Sequence, residues 1–361
     1  MKREVWIIGA GPVGLLLAHL LHQKGFRIHL FEKRAKVPAL SMAIGITPPS
    51  LNILATLGLR DAFESQGILI RRARVFENQT PLGSLGFEQA GDHILSLPQR
   101  QTLRLLRTSL TKLPDVIFHE NEPFRLNSTV PDTMRVIGCD GYRSTVRQRA
   151  GISLKEKTYA QKFFMADFED IENAGPDARL FFSPRGSVES FPLPGHLRRW
   201  VVQVLPGQSS EVSHLIERVR DASGVNLAGV PHGTPGCFIP RRGLASHFHR
   251  GPFILCGDAA HQLSPIGGQG MNTGFADAYQ LAEALADPHP RALDIWTKHR
   301  KQAFNQAATR AALGMKLGTL TGNPASRFRT QILRVLLHEP HCAKTLSRSY
   351  AMLNLPHPVK A

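Results

Sequence analysis

Apolar positions along this chain fall into short unbroken runs near its start, alternating stretches in its middle and helically spaced sets towards its end. Val5–Ile8 is an unbroken run between Glu4 and Gly9, the signature of a strand buried on both faces. The turn Gly9-Ala10-Gly11-Pro12-Val13-Gly14 follows, then a helical stretch, Leu15–Lys24, closed by Gly25. A second strand, Arg27–Phe31, ends at Glu32. Two later runs, Arg135–Ile137 and Pro252–Cys256, also lead into glycine-containing loops, and Leu103, Leu106 and Leu110 mark a helix opened by Arg100. The alternating segments are Phe163–Phe168, Arg179–Phe182, Val188–Leu193 and Arg198–Val204, which predict a mostly antiparallel sheet. From Arg291 the pattern turns helical and basic, with Ile332, Leu333, Val335, Leu336 and Leu337 spaced along one such helix.

This order predicts an α/β protein of two connected domains, which suits a length of 361 residues. A Rossmann-like dinucleotide domain is expected from residues 1–70, 98–157 and 247–361, the last piece including C-terminal helices. Residues 71–97 and 158–246 should form a discontinuous, mostly antiparallel β-sheet domain that receives the substrate.

The first turn has the chemistry of a dinucleotide cradle. Gly9 permits the turn, Gly11 lets backbone approach a pyrophosphate, and Gly14 lets the helix pack on the strand. Pro12 and Val13 lie within the same turn, and the helix start presents unpaired N–H groups to phosphate. Glu32 lies near the spacing expected of an acid that accepts hydrogen bonds from ribose hydroxyls, and it disfavours a 2′-phosphate. Lys33 and Arg34 join it as candidate cofactor contacts. This motif alone does not distinguish FAD from NAD.

Two further segments do. One reads Gly138-Cys139-Asp140-Gly141-Tyr142-Arg143-Ser144-Thr145-Val146-Arg147; the other runs from Gly257-Asp258-Ala259-Ala260-His261 to Pro265-Ile266-Gly267-Gly268-Gln269-Gly270-Met271-Asn272. With the first turn, they resemble the fingerprints of the single-component flavoprotein aromatic hydroxylases, the p-hydroxybenzoate hydroxylase-like FAD monooxygenases. The wording from Gly267 to Ala278 is nearest to the phenol and polyketide hydroxylase branch, without a thioredoxin-like domain. The resemblance implies that FAD is the cofactor. It places Asp258 on the ribityl chain, Gly267, Gly268 and Gly270 where backbone passes the flavin, and Met271 and Asn272 at a helix start facing the flavin's N1–C2=O edge. It also implies Pro265 beside the flavin ring, Arg100 as a polar flavin contact, Asp140 as a carboxylate near the pyrophosphate and Arg147 as a phosphate neutraliser. Met42 departs from the pattern, since many relatives carry arginine there.

The implied activity is oxygenation: NADPH or NADH, a transient co-substrate, reduces FAD, and O2 adds at C4a. The hydroperoxide then hydroxylates, or epoxidises, an apolar, aromatic or polyketide-like molecule. No catalytic acid or base is assignable. His261 sits near the flavin and either supports its loop or transfers protons. Phe191, Leu193 and Trp200 are candidates to line an apolar pocket, with ordinary sheet packing as the other reading. No arginine clamp for a benzoate-like carboxylate is evident, which favours a larger phenolic, quinone or polyketide-like substrate. The alternative enzyme is an FAD-dependent reductase of the geranylgeranyl-reductase type, which does not activate oxygen. A third reading is an FAD-binding protein without turnover. A halogenase lacks support, because Trp6, Trp200 and Trp296 stand apart.

Composition adds limits. The net charge of +16 is spread along the chain rather than gathered into an aromatic-interleaved patch, so a solvated basic surface is expected and nucleic acid is not an expected partner. Cys139, Cys237, Cys256 and Cys342 lack metal or redox spacing, which fits a reducing cytoplasm, and no metal is expected at His247 with His249 or at His338 with His341. The first apolar stretch is broken by glycines and Pro12, unlike a signal peptide, and no run reaches about 18 residues, the length of a membrane span. The C-terminal helices are expected to pack on the dinucleotide domain rather than on a membrane, and the protein to be a monomer or homodimer.

Overall fold

A computed structural model describes residues 2–35, 42–88, 93–124, 134–264 and 268–354. Its first layer is a six-stranded sheet. Glu4–Ile8 lies between Arg27–Glu32 and Arg135–Gly138, all parallel; Val116–Glu120 continues on one side and Phe253–Leu255 on the other, with His249–Arg250 antiparallel at that edge. The chain builds outward from its first strand in one direction, then returns to build in the other. The order therefore switches beside Glu4–Ile8, where open α/β sheets leave a crevice at the strands' carboxyl ends. The runs that read as buried strands are buried, with Val5, Ile7, Ile28, Leu30, Val136, Ile137, Ile254 and Leu255 forming one core with the helices Pro12–Gln23 and Gln269–Ala286.

The second layer is a seven-stranded sheet ordered Gly236–Phe238, Lys162–Glu169, Leu197–Val204, Gly186–Leu193, Ala178–Ser183, Arg72–Glu77 and Thr80–Gly86. All its pairs are antiparallel except Ala178–Ser183 with Arg72–Glu77, because these two strands come from distant parts of the chain. One face carries Phe164, Phe168, Val188, Trp200 and Val202 against the helix Val212–Ser223, where Leu215 and Val219 complete the cluster. The other face is covered by the C-terminal helices Ala292–Gly318, Asn323–His338 and Pro340–Tyr350.

Two expectations are corrected. The last two helices pack Leu333, Leu337, Leu346 and Tyr350 onto Val75, Leu82 and Leu85 of the antiparallel sheet, not onto the parallel sheet. Their apolar stripe finds its partner on the edge strands that the rest of the chain leaves uncovered. The basic excess is also not wholly a solvated surface. Arg147, Arg198, Arg199, Arg218, Arg300 and Arg329 are buried, each donating to carbonyl or side-chain oxygens. Among the described residues, no helix is long and apolar enough to cross a membrane.

Candidate cofactor site

Three glycine turns meet at the crevice. They follow Glu4–Ile8, Arg135–Gly138 and Phe253–Leu255, three adjacent parallel strands, and backbone hydrogen bonds carry the alignment past the strand ends. Cys139 N–H donates to Ile8 O at 2.8 Å and Cys256 N–H to Gly138 O at 2.9 Å. Side-chain packing locks the turns together. A Cβ on Gly14 would lie 2.0 Å from Gly9 O, and one on Gly9, whose φ is +103°, would lie 2.6 Å from Cys139 O. Val13 wedges against the third turn and the helix after it, where a Cβ on Gly257 would lie 3.2 Å, and one on Gly274 2.6 Å, from its side chain.

Gly11, Gly268 and Gly270 behave differently, since a Cβ at any of them meets nothing within 4 Å. Protein packing does not require glycine at Gly11 or Gly270, whereas the φ of +64° at Gly268 itself favours glycine; the space before all three leaves room for a ligand to lie against the backbone. Gly11 and Gly268 are also N-caps of Pro12–Gln23 and Gln269–Ala286, and neither supplies a side-chain cap, so both helix starts leave N–H groups for an anion.

The acidic residues divide by role. Glu32 accepts from Ala10 N–H at 3.1 Å and from the Arg34 backbone and Nε at 2.9 and 3.1 Å. Burial opposes its charge, but Arg34 and the two N–H groups outweigh it and hold the carboxyl below its ordinary range. Lys33 and Arg34 are exposed beside it. Asp140 Oδ2 accepts from Thr145 N–H at 2.7 Å, from its hydroxyl at 2.9 Å and from Val146 N–H at 3.2 Å, fixing the start of the helix Thr145–Arg149. Its Oδ1 is buried without a hydrogen-bond partner among the described residues. Asp258 is solvent-accessible, yet enclosure by surrounding protein raises its carboxyl, with Asp277 adding and His261 opposing.

Arg147 lies elsewhere than its assigned role suggests. Its guanidinium is buried and donates to Ala259 O at 2.9 Å and Tyr142 O at 2.7 Å, bolting the second turn to the third. Asn272 likewise spends its side chain on protein: Oδ1 accepts from Thr47 N–H at 3.0 Å, and Nδ2 donates to Gly45 O and Gly268 O at 2.9 and 2.8 Å. Only its backbone remains available to a ligand. Met271 is half-buried against the parallel-sheet core. Arg100 is exposed in the first turn of Gln99–Leu110, where a cation opposes the helix dipole and an anionic neighbour would compensate it. Pro265 and Gly267 lie outside the described residues.

Sequence reasoning missed a buried charge cluster beneath the third turn. Asp277 accepts from Arg300 Nε at 2.6 Å through Oδ1 and from Gly257 N–H at 3.3 Å through Oδ2, which also lies 2.5 Å from His261 Nε2. Burial works against the Asp277 charge, but His261 and Arg300 outweigh it and lower its titration. The signal was Asp277 itself, an acid on the apolar face of Gln269–Ala286. His261 is thus a buried partner of Asp277.

Of the proposed pocket residues, Trp200 is removed. It lies on the sheet face turned to Val212–Ser223, 2% exposed, because strand alternation sends it there with Val202. Phe191 and Leu193 fall on the opposite parity of their strand, and Phe191 joins the apolar clusters beneath the C-terminal helices. At Met42, Arg199 donates to the main-chain carbonyl at 3.1 Å while holding Asp167, so an arginine reaches this position from another strand.

A family model for an FAD binding domain matches residues 2–135 and 132–311. The chain belongs to the FAD binding domain family. Its cofactor is accordingly FAD, whose pyrophosphate and flavin suit the open glycines and uncapped helix starts. Among curated relatives of this FAD-binding chain, 6-methylpretetramide 4-monooxygenase of Streptomyces rimosus is 30% identical over 313 residues, covering 79% of this chain and 56% of that protein. The 3-(3-hydroxy-phenyl)propionate/3-hydroxycinnamic acid hydroxylase of Klebsiella pneumoniae is 27% identical over 316 residues, covering 78% and 55%. The chain thus spans about half the length of these relatives. In fold it is similar to p-nitrophenol 4-monooxygenase from Pseudomonas putida DLL-E4, with a TM-score of 0.87, 23% identity, and 99% of this chain and 100% of that one covered. Anhydrotetracycline hydroxylase from Streptomyces rimosus follows at a TM-score of 0.81 and 23% identity, covering 100% and 78%.

Proposed function

We propose that this chain is an FAD-dependent monooxygenase that uses NADH or NADPH and O2 to place one oxygen atom on an apolar phenolic or polyketide-like aromatic molecule. The observation that carries the reading is the set of three glycine turns meeting on adjacent strand ends, with open space in front of Gly11, Gly268 and Gly270. The names of the relatives support the reaction class. When bound, FAD supplies the electron transfer from nicotinamide to dioxygen. The protein's part is to hold and shield. Glu32 accepts ribose hydroxyls, the start of Pro12–Gln23 faces the pyrophosphate, and Asp258 receives the ribityl hydroxyls. The uncapped start of Gln269–Ala286 stabilises negative charge on the ring. Arg147, Asn272 and the Asp277 cluster fix these groups in place, and the covered sheet face keeps water from the aromatic substrate.

Four free thiols support a reducing, cytoplasmic setting. The test is purification with a flavin absorption spectrum, followed by NADH or NADPH oxidation across a panel of phenols, with oxygen uptake and product mass recorded. Oxygen uptake matched to nucleotide oxidation, with a product heavier by one oxygen atom, is expected. Substrate-dependent nucleotide oxidation that persists without oxygen would establish the reductase instead. Stimulation by small benzoates alone would overturn the substrate class.

A further inference from the structure

The face of the seven-stranded sheet beneath the C-terminal helices mixes apolar and polar side chains: Arg199 and Asp167 pair with each other there, Gln203 donates to Thr319 O, and Glu189 lies nearer the centre. Glu189 stands opposite Leu180 on one neighbouring strand and Val201 on the other, and strand alternation gives it the same face as Phe191. Leu180, Phe191 and Tyr350 share one apolar cluster; Val201 and Met315 belong to the next, and Phe191 belongs to both. A carboxyl therefore sits among hydrocarbon. Neither it nor the Tyr350 phenol makes a hydrogen bond or ion pair with any described residue.

Both groups nevertheless remain only partly buried, as do Leu180 and Phe191, although three helices cover this face. Side chains inside a layered structure that still leave surface accessible line a recess rather than a packed seam. Enclosure pushes the Glu189 carboxyl up to about 7, and enclosure together with the Glu189 charge raises the Tyr350 phenol. An apolar residue at 189 would serve packing better, so the carboxyl carries a stability cost that packing does not explain.

The recess also adjoins the flavin cradle. Two residues beyond Tyr350, Met352 receives the Thr47 hydroxyl at its sulfur at 3.8 Å; Thr47 is held by Asn272, and Asn272 in turn by Gly268 O. On the other side, Ser96 donates to Pro192 O at 2.6 Å, and Ser96 pairs with Gly45.

We infer that Glu189 and Tyr350 form a specificity-determining pair that hydrogen-bonds the hydroxyl of an uncharged phenolic substrate, favouring such phenols over carboxylated aromatics. The pair lies in hydrocarbon that receives the aromatic body, while Glu189 accepts from the donor and rejects a second carboxylate. This rests on the oxygenase reading for its meaning, but it is tested without turnover. The probes are 2-naphthol, naphthalene and 2-naphthoate, titrated into FAD-loaded protein by calorimetry, with flavin content and thermal unfolding measured for each variant. Wild-type protein is expected to bind naphthol roughly tenfold or more tighter than the other two, the ratio expected of a hydrogen bond to a charged group. Glu189→Leu should abolish the naphthol preference over naphthalene, improve naphthoate binding and raise the unfolding temperature. Glu189→Gln should keep part of the preference, and Tyr350→Phe should weaken naphthol alone. A naphthol-to-naphthalene ratio unmoved in folded, flavin-loaded Glu189→Leu would overturn the inference, as would wild-type protein that does not bind naphthol. Failure of the oxygenase reading would appear elsewhere, as absent oxygen uptake with these binding ratios intact.

Discussion

In the parallel sheet the decisive atoms belong to the main chain: Gly9, Gly14 and Cys139 approach so closely that no side chain fits between them, and carbonyl and N–H groups join the turns. In the seven-stranded sheet the decisive atoms belong to side chains, with Trp200 and Leu215 filling one face and Phe191, Val201 and Met315 the other. The first region tolerates little variation because a universal ligand, a dinucleotide, meets backbone there. The second can vary its surface without changing its strands, which suits the substrate selection proposed for it.

The contrast is most sharply broken at two neighbouring glycines. Gly14→Val should abolish soluble protein, because its Cβ would lie 2.0 Å from Gly9 O. In Gly11→Ala the added Cβ meets no protein atom within 4 Å, so the apoprotein should unfold at nearly the wild-type temperature while flavin affinity falls roughly tenfold or more. Equal loss of folding in both would show that the space before Gly11 is not kept for a ligand.

Next in size is Asp277→Asn, which leaves the buried Arg300 without its counter-ion and should cost about 3–5 kcal/mol in urea unfolding. Its pH dependence follows from sign. Asp277 titrates lower folded than unfolded, so its stabilisation is complete above the unfolded carboxylate value of about 4 and disappears as pH falls through the folded value. The variant's urea midpoint should therefore fall less steeply than wild type on acidification below that value. A parallel acid limb would remove Asp277 from this role.

Trp200→Ala tests the other region. It should cost about 3 kcal/mol through the cavity left against Val212–Ser223, yet leave flavin content per folded molecule unchanged. Loss of flavin in that variant would mean that the two regions are less separate than their packing indicates. The smallest effect is expected at Ser144→Ala, which removes the acceptor of Arg147 N–H and should cost about 1 kcal/mol by thermal unfolding.

The parallel sheet and its turns were legible because local spacing encodes them: a buried run, a glycine turn and a helix declare themselves within some twenty residues. FAD rather than NAD became legible from two further turns. What stayed hidden depends on pairings between distant segments. Trp200 looked like a pocket residue because alternation gives parity but not which face is which. The C-terminal helices were assigned to the parallel sheet because an apolar stripe does not name its partner. Arg147 and Asn272 carried the motif's identity, but their side chains turned inward, where competing backbone acceptors decide their contacts.

The cradle's three walls come from the beginning of the chain, from before its middle and from its last third, and all are needed at once. During synthesis, then, no partial product offers the cofactor a complete seat until the helix after Gly268 has left the ribosome. Capture of flavin therefore waits until all three turns are in place, and a shortage of the vitamin should leave a colourless pool that takes up flavin when it is restored.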